Sequence, residues 1–94
     1  MLIISGHLTV DPADRDAYVN DCVAVVAQAR SAPGCLDFVI AADTLDPERV
    51  HIYERWETDA ELEAFRGSGP DADTAARIVS AHVPKYRISA TEAP

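Results

Sequence analysis

The chain has little positive charge, few aromatics, a single tryptophan and no long apolar run. Lys and Arg number 8 against 16 Asp and Glu, for a net charge of −8. That sign repels phosphate backbones and anionic lipid, so no nucleic-acid or membrane partner is expected. No run approaches the ~18 apolar residues of a membrane span. The apolar start, Met1 to Ile4, is short and lacks a basic flank, so no leader is read and a cytoplasmic location is expected. Cys22 and Cys35 form no C-x-x-C pair and no metal spacing, and read as small buried hydrophobes. The three histidines include no i, i+4 pair, so no metal is implied. A glycine-rich phosphate loop is also missing, and no cofactor is expected.

What is present is one domain, residues 1–94, with 48% hydrophobic residues. A chain this short buries only about two-thirds of its unfolded surface, and many such chains gain the rest by dimerising. Its charge suits a neutral or phenolic small molecule, or a second copy of itself.

The order of elements reads β-α-β-β-α-β. Residues 2–10 alternate, with Leu2, Ile4, Gly6, Leu8 and Val10 on one face and Ile3, Ser5, His7 and Thr9 on the other. Asp11-Pro12 opens a helix, with Asp11 as N-cap, and Pro33-Gly34 ends it. Its stripe is Tyr18, Cys22, Val25 and Ala29. Residues 35–43 are strand-like, with Leu36, Phe38 and Ile40 on one face. Asp46-Pro47 marks a hairpin loop before the strand Arg49 to Glu57, in which Val50, Ile52, Glu54 and Trp56 share a face. Thr58-x-x-Glu61 is a capping box ahead of Leu62 and Phe65. Gly67 to Pro70 breaks that helix, and Arg66 to Asp73 is expected to be loose. A further helical segment is read from Asp71, with Ala75, Ile78, Val79 and His82 on one face, ending at Pro84. Residues 84–90 read as the last strand.

This order gives an α+β, ferredoxin-like βαββαβ antiparallel sheet with helices on one face. The other face would carry His7, Asp37, Val39, His51, Tyr53, Arg55, Lys85 and Arg87. It is either a solvated face or a self-complementary twofold interface, with Asp37 meeting Arg55 or Arg87 of a second copy.

Pro33-Gly34-Cys35, Tyr53-Glu54-Arg55-Trp56 and Thr58-Asp59-Ala60-Glu61-Leu62 resemble the antibiotic biosynthesis monooxygenase family of the dimeric α+β barrel superfamily. The resemblance covers roughly residues 2–90. It implies a homodimer through stacked sheet faces, with a pocket between each sheet and its helices. It also implies cofactor-independent oxidation of a phenolic or hydroquinone-type aromatic by O2, without metal, flavin or haem. The alternative is a dimeric small-molecule-binding or dimerisation module without chemistry. Ile52 stands where quinone-forming members have Asn. Gly6, with Phe65 or Arg66, stands where haem degraders have Asn and His, so haem degradation is set aside.

The candidate catalytic residues are Glu54, His82 and Arg77; the candidate substrate-binding residues are Phe38, Ile52, Trp56, Phe65, Ile78 and Tyr86. Glu54 is a proton acceptor if buried without a cation, or an ion-pair partner of Arg77 or Lys85. His82 is a general base or a satisfied core histidine. Arg77 stabilises an oxyanion or lies on a solvated helix face. Trp56 is a pocket wall or plain core, and Tyr86 orients a substrate oxygen or is structural. His7 and His51 read as interface residues on neighbouring strands.

Overall fold

A computed structural model describes residues 1–67 and 75–94. The elements are β1 (Leu2–Val10), α1 (Arg15–Asp21), α2 (Val23–Arg30), β2 (Cys35–Ala42), β3 (Arg49–Trp56), α3 (Asp59–Arg66), β4 (Ile78–His82) and β5 (Lys85–Arg87). They form the expected ferredoxin-like α+β arrangement. The sheet is antiparallel, in the order β2-β3-β1-β4, with β5 also paired to β1. No described helix is long and apolar enough to cross a membrane.

Alternation decides what the sheet buries. Leu2, Ile4, Leu8 and Val10 of β1, Val50, Glu54 and Trp56 of β3, and Phe38 of β2 are all buried on the helix-covered face. One cluster joins Leu2, Ile4, Phe38 and Trp56 to Ala29 of α2 and Leu62 of α3. A second joins Leu8, Val10 and Val50 to Tyr18 of α1 and to Cys22. Each large aliphatic or aromatic side chain withdrawn from water contributes about 1.5–3 kcal/mol.

The first helix differs from the sequence expectation. Asp11 makes a turn instead of a cap, accepting from Ala13 N at 2.8 Å. Helix α1 then begins at Arg15, and its N-cap Asp14 makes no side-chain cap bond. Asp14 is otherwise engaged: its carboxylate accepts from Arg77 Nε and Nη2. The chain bends again at Cys22, whose N–H is shared between the carbonyls of Tyr18 and Val19, so α2 is a separate helix. Arg30 in its last turn donates to Phe38 O at 2.9 Å, fixing α2 on the edge strand β2.

The capping box holds. Thr58 Oγ1 accepts from Glu61 N at 3.2 Å and donates to Glu61 Oε1 at 3.0 Å. Gly34, at φ 79°, ends the turn after α2, and a Cβ there would collide with the Glu61 carboxylate.

The largest departure lies at the C-terminal end. Ile78 to His82 was expected to be helical and is strand β4, paired with β1. The run Ile78-Val79 is β-branched, and His82-Val83-Pro84 lies beside Gly6, where extended chain completes the sheet. The spacing of Ala75, Ile78 and His82 imitated a helical stripe by coincidence. Thr9 pairs with Ser80 and Val10 with Ile78, so Val79 is bulged out and exposed. Segments β4 and β5 keep one continuous register against β1 and are interrupted at Val83-Pro84, because proline has no N–H for the ladder. Val83 packs into both core clusters there. A Cβ on Gly6 would run into the backbone of His82 and Val83, so this approach needs glycine.

That register also reverses the expected faces of the last strand. Tyr86 lies opposite Ile3, on the open face, whereas Lys85 and Arg87 lie opposite Ile4 and Leu2. Both cations reach Asp59 at the start of α3, at 3.3 and 2.9 Å. The expected break and loose segment after Gly67 fall on residues 68–73, outside the described residues.

Candidate functional site

On the helix-covered face, Glu54 lies between Ile4 of β1 and Phe38 of β2, and Trp56 between Leu2 and Cys35. Cys35 reaches this position through a bulge between Cys35 and Asp37, which turns Leu36 outward. Trp56 is fully buried and Glu54 is 8% exposed, the only charged residue among the buried described residues.

The Trp56 indole donates to Glu54 Oε1 at 3.0 Å. Side chains two apart on a strand share a face, which brings the two into contact. Phe65 of α3 closes over them. Its ring centroid is 5.3 Å from that of Trp56 and 5.8 Å from that of Phe38, the latter edge-on. Aromatic pairs at these separations add attraction beyond burial. The result is a carboxyl group within an aromatic wall.

Burial pushes the Glu54 pKa up, against a smaller opposing effect of the indole N–H and the Arg66 charge. Glu54 makes no ion pair among the described residues. The two cations that sequence offered as partners are committed elsewhere. Arg77 binds Asp14 at 2.7 Å and Asp21 at 2.8 Å and lies over the Tyr18 ring, 5.2 Å from its centroid. Lys85 binds Asp59. A buried carboxyl with a raised pKa and no ion pair among the described residues is suited to proton transfer.

The structure brings Glu54, Trp56, Phe38 and Phe65 together. Ile52 and Ile78 are half-buried against the second cluster, beside Leu8, Val10 and Val50, and extend the same face. Arg77, His82 and Tyr86 stand apart. Arg77 clamps α1. His82 pairs with His7 on the open face, because β4 is a strand and not a helix. Tyr86, 51% exposed, is on that same open face.

Sequence reasoning missed Cys35, Leu2, Ile4, Leu62 and Val83 as neighbours of the aromatic wall. The alternation of β1 carried the signal for Leu2 and Ile4. The bulge that points Cys35 inward left no sequence trace. Burial raises the Cys35 thiol pKa, and the nearby Glu54 charge adds to this. Both cysteines are free; Cys22 is buried as expected, whereas Cys35 is only half-buried.

Three surface clefts are formed by described residues near this region. One, of about 220 Å3, is lined by Ala32, Pro33, Glu61, Ala64 and Phe65, and so reaches the aromatic wall from outside. Another, of about 240 Å3, lies between the first helices and β2, lined by Val19, Val23, Val26, Ala27, Arg30 and Ile40. The third, of about 370 Å3, is formed by Arg30, Cys35, Leu36 and Asp37. Among the described residues no three His, Cys, Asp or Glu side chains converge as a metal site.

The family model for antibiotic biosynthesis monooxygenases matches residues 1–77. No curated protein matches the chain in sequence. Among solved structures, a candidate antibiotic biosynthesis monooxygenase from Nitrosomonas europaea superposes with a TM-score of 0.81 at 20% identity, over 96% of this chain and 100% of its own. PA3566 from Pseudomonas aeruginosa gives 0.78 at 23% identity, over 94% of each chain. A candidate antibiotic biosynthesis monooxygenase from Chloroflexus aurantiacus gives 0.75 at 26% identity, over 98% of this chain and 96% of its own.

Proposed function

The chain belongs to the antibiotic biosynthesis monooxygenase family, and from that premise we propose a monooxygenase that oxidises a phenolic or hydroquinone-type aromatic with O2. The observation that carries the reading is Glu54: a buried carboxyl, with raised pKa and no ion pair among the described residues, inside a wall of Trp56, Phe38 and Phe65. Glu54 accepts the phenolic proton, and the aromatic wall holds the ring and keeps water out. The resulting phenolate is electron-rich enough to react with O2 directly. For a phenol going to a quinone, one oxygen atom enters the ring and the other leaves as water. The substrate supplies all four electrons, so no cofactor is needed. Ile52 and Ile78 extend the apolar lining, and the cleft at Ala32, Pro33 and Phe65 is the approach.

The catalytic set proposed from sequence is thereby narrowed to Glu54. Arg77, His82 and Tyr86 are given roles in structure or on the open face. A binding module without chemistry is the second reading. The complete burial of Trp56 favours a role for its ring in the core over one in chemistry.

The proposed protein is a cytoplasmic homodimer joined through the open sheet faces. Arg55 Nε on that face is buried without a hydrogen-bond partner, the only such side-chain atom among the described residues. An acceptor from a second copy would satisfy it. The experiment is oxygen uptake by purified protein with a panel of phenols and hydroquinones. Wild type is expected to consume O2, with Glu54→Gln slower by roughly 10²–10⁴-fold. Uptake by neither protein would leave the binding-module reading in place.

A further inference from the structure

The cleft of about 220 Å3 beside the aromatic wall carries one charge that the proposed oxidation does not use. Its lining is Ala32, Pro33, Glu61, Ala64 and Phe65, so Glu61 is the only ionisable residue in it. Phe65 both lines the cleft and meets the rings of Trp56 and Phe38.

Glu61 is fixed from two directions. Thr58 Oγ1 donates to its Oε1 at 3.0 Å and accepts from its backbone N–H at 3.2 Å. Its carboxylate also lies against Gly34, where the missing Cβ leaves room for it. A carboxylate held in this way keeps its charge at one point of the cleft. The charge is not cancelled by a neighbour. Among the described residues Glu61 makes no ion pair: Lys85 and Arg87, which reach the first turn of the same helix, both bind Asp59. The Arg66 charge acts on Glu54, and Arg66 does not line the cleft. Residues 68–74, outside the described set, contain no Lys, Arg or His.

The geometry points to Glu61 as a specificity residue. It selects aromatic ligands with a cationic side arm, a phenol or hydroquinone bearing an alkylammonium group, over those bearing a carboxylate. The phenolic class of the ligand rests on the oxidation proposed above. The ring lies along Ala32, Pro33 and Ala64 toward Phe65, and the ammonium group pairs with Glu61. Apolar walls strengthen such a pair relative to open water. A cleft lined by one sign of charge also focuses its field, and the chain's charge of −8 acts in the same sense. Glu61 is on α3 and Glu54 on β3, so selection and proton transfer are carried by different side chains.

The test is calorimetric binding of phenols of similar size: tyramine as the cation, para-hydroxyphenylacetate as the anion and para-ethylphenol as the neutral form. Wild type is expected to bind tyramine about tenfold more tightly than para-hydroxyphenylacetate. Glu61→Gln keeps the capping box, because Gln serves there as Glu does. It should bring that ratio to about threefold or less, with para-ethylphenol binding unchanged. Glu63→Gln makes the same change of charge on the same helix outside the cleft, and should leave the ratio near that of wild type. Emission from Trp56, the chain's only tryptophan, should change on saturation, because Phe65 joins it to the cleft. Equal affinity for cation and anion in wild type would overturn the assignment. So would an unchanged ratio in Glu61→Gln, an equal drop in Glu63→Gln, unmoved Trp56 emission, or no binding of any of these phenols. Oxygen uptake is read separately on the same mixtures. Uptake without a charge preference sinks the selection and leaves the oxidation standing; the preference without uptake does the reverse.

Discussion

Trp56 and Glu54 are bonded to one another, indole N–H to carboxylate at 3.0 Å, on the buried face of a single strand. The bond keeps the only charged side chain in the described core from being isolated, and the wall around it is built to fit an indole. Trp56→Phe removes the donor and leaves a gap. The loss in folding stability is expected to be about 2–4 kcal/mol. The Glu54 pKa should rise further, because the indole hydrogen bond holds it down. Urea denaturation reads the first effect and carboxyl carbon NMR titration the second. An unmoved Glu54 titration would mean that the bond is not made in solution.

Glu54 also gives stability a pH dependence of definite sign. Its folded-state pKa lies above the ordinary glutamate value of 4.5. Between these two values the folded state binds more protons than the unfolded state, so stability falls as pH rises through that window. Above the folded pKa the loss is complete. Glu54→Gln removes the effect. The variant should therefore gain stability relative to wild type as pH rises from below 4.5 into the neutral range. Urea midpoints measured across that range check it, and parallel curves for the two proteins would contradict it.

Asp14 and Asp59 act in the opposite sense. The Arg77 and Arg87 guanidinium groups beside them hold both carboxyls below the usual aspartate range. Their contribution is present above the ordinary value of 3.8 and is lost as pH falls through the lower folded values. Arg77→Ala should lower the thermal midpoint near neutrality, with the deficit shrinking in acid and in high salt. A deficit independent of both would point to lost packing over Tyr18.

Gly6 is expected to tolerate no side chain. Gly6→Ala places a methyl group into the backbone of His82 and Val83. The strand must shift there, at a cost of about 1–3 kcal/mol or more. Hydrogen exchange should show the amides of β4 and β5 losing protection before those of β3. Uniform protection in the variant would show that the edge adapts without opening.

If the open faces pair, light scattering at micromolar concentration should give twice the chain mass of 10.2 kDa. Interfaces of stable dimers commonly bury over ~1,200 Å2. Arg55→Ala should weaken the pairing only if Arg55 Nε finds its acceptor on a second copy. A monomer at all concentrations would exclude it.

Much of the architecture could be read along the chain because it depends on neighbours in sequence. Strict alternation in Leu2–Val10 and Arg49–Trp56 set which side chains face the helices. Thr58 and Glu61 marked a helix start through contacts three residues apart. The same alternation put Glu54 and Trp56 on one buried surface, which is why the centre of the candidate site was visible in one strand. The rest was decided by contacts between distant segments. Ile78 to His82 has spacing compatible with a helix, and becomes a strand because β1 offers it a free edge and Gly6 admits the close approach. Whether Glu54 would be paired or bare depended on where Arg77 and Lys85 went. They went to Asp14, Asp21 and Asp59, across gaps of tens of residues. His7 stands opposite both His51 and His82 only through the register of three strands. Periodicity assigns faces within an element, but register, bulges and the choice among competing ion pairs are settled by the energy of the assembled sheet.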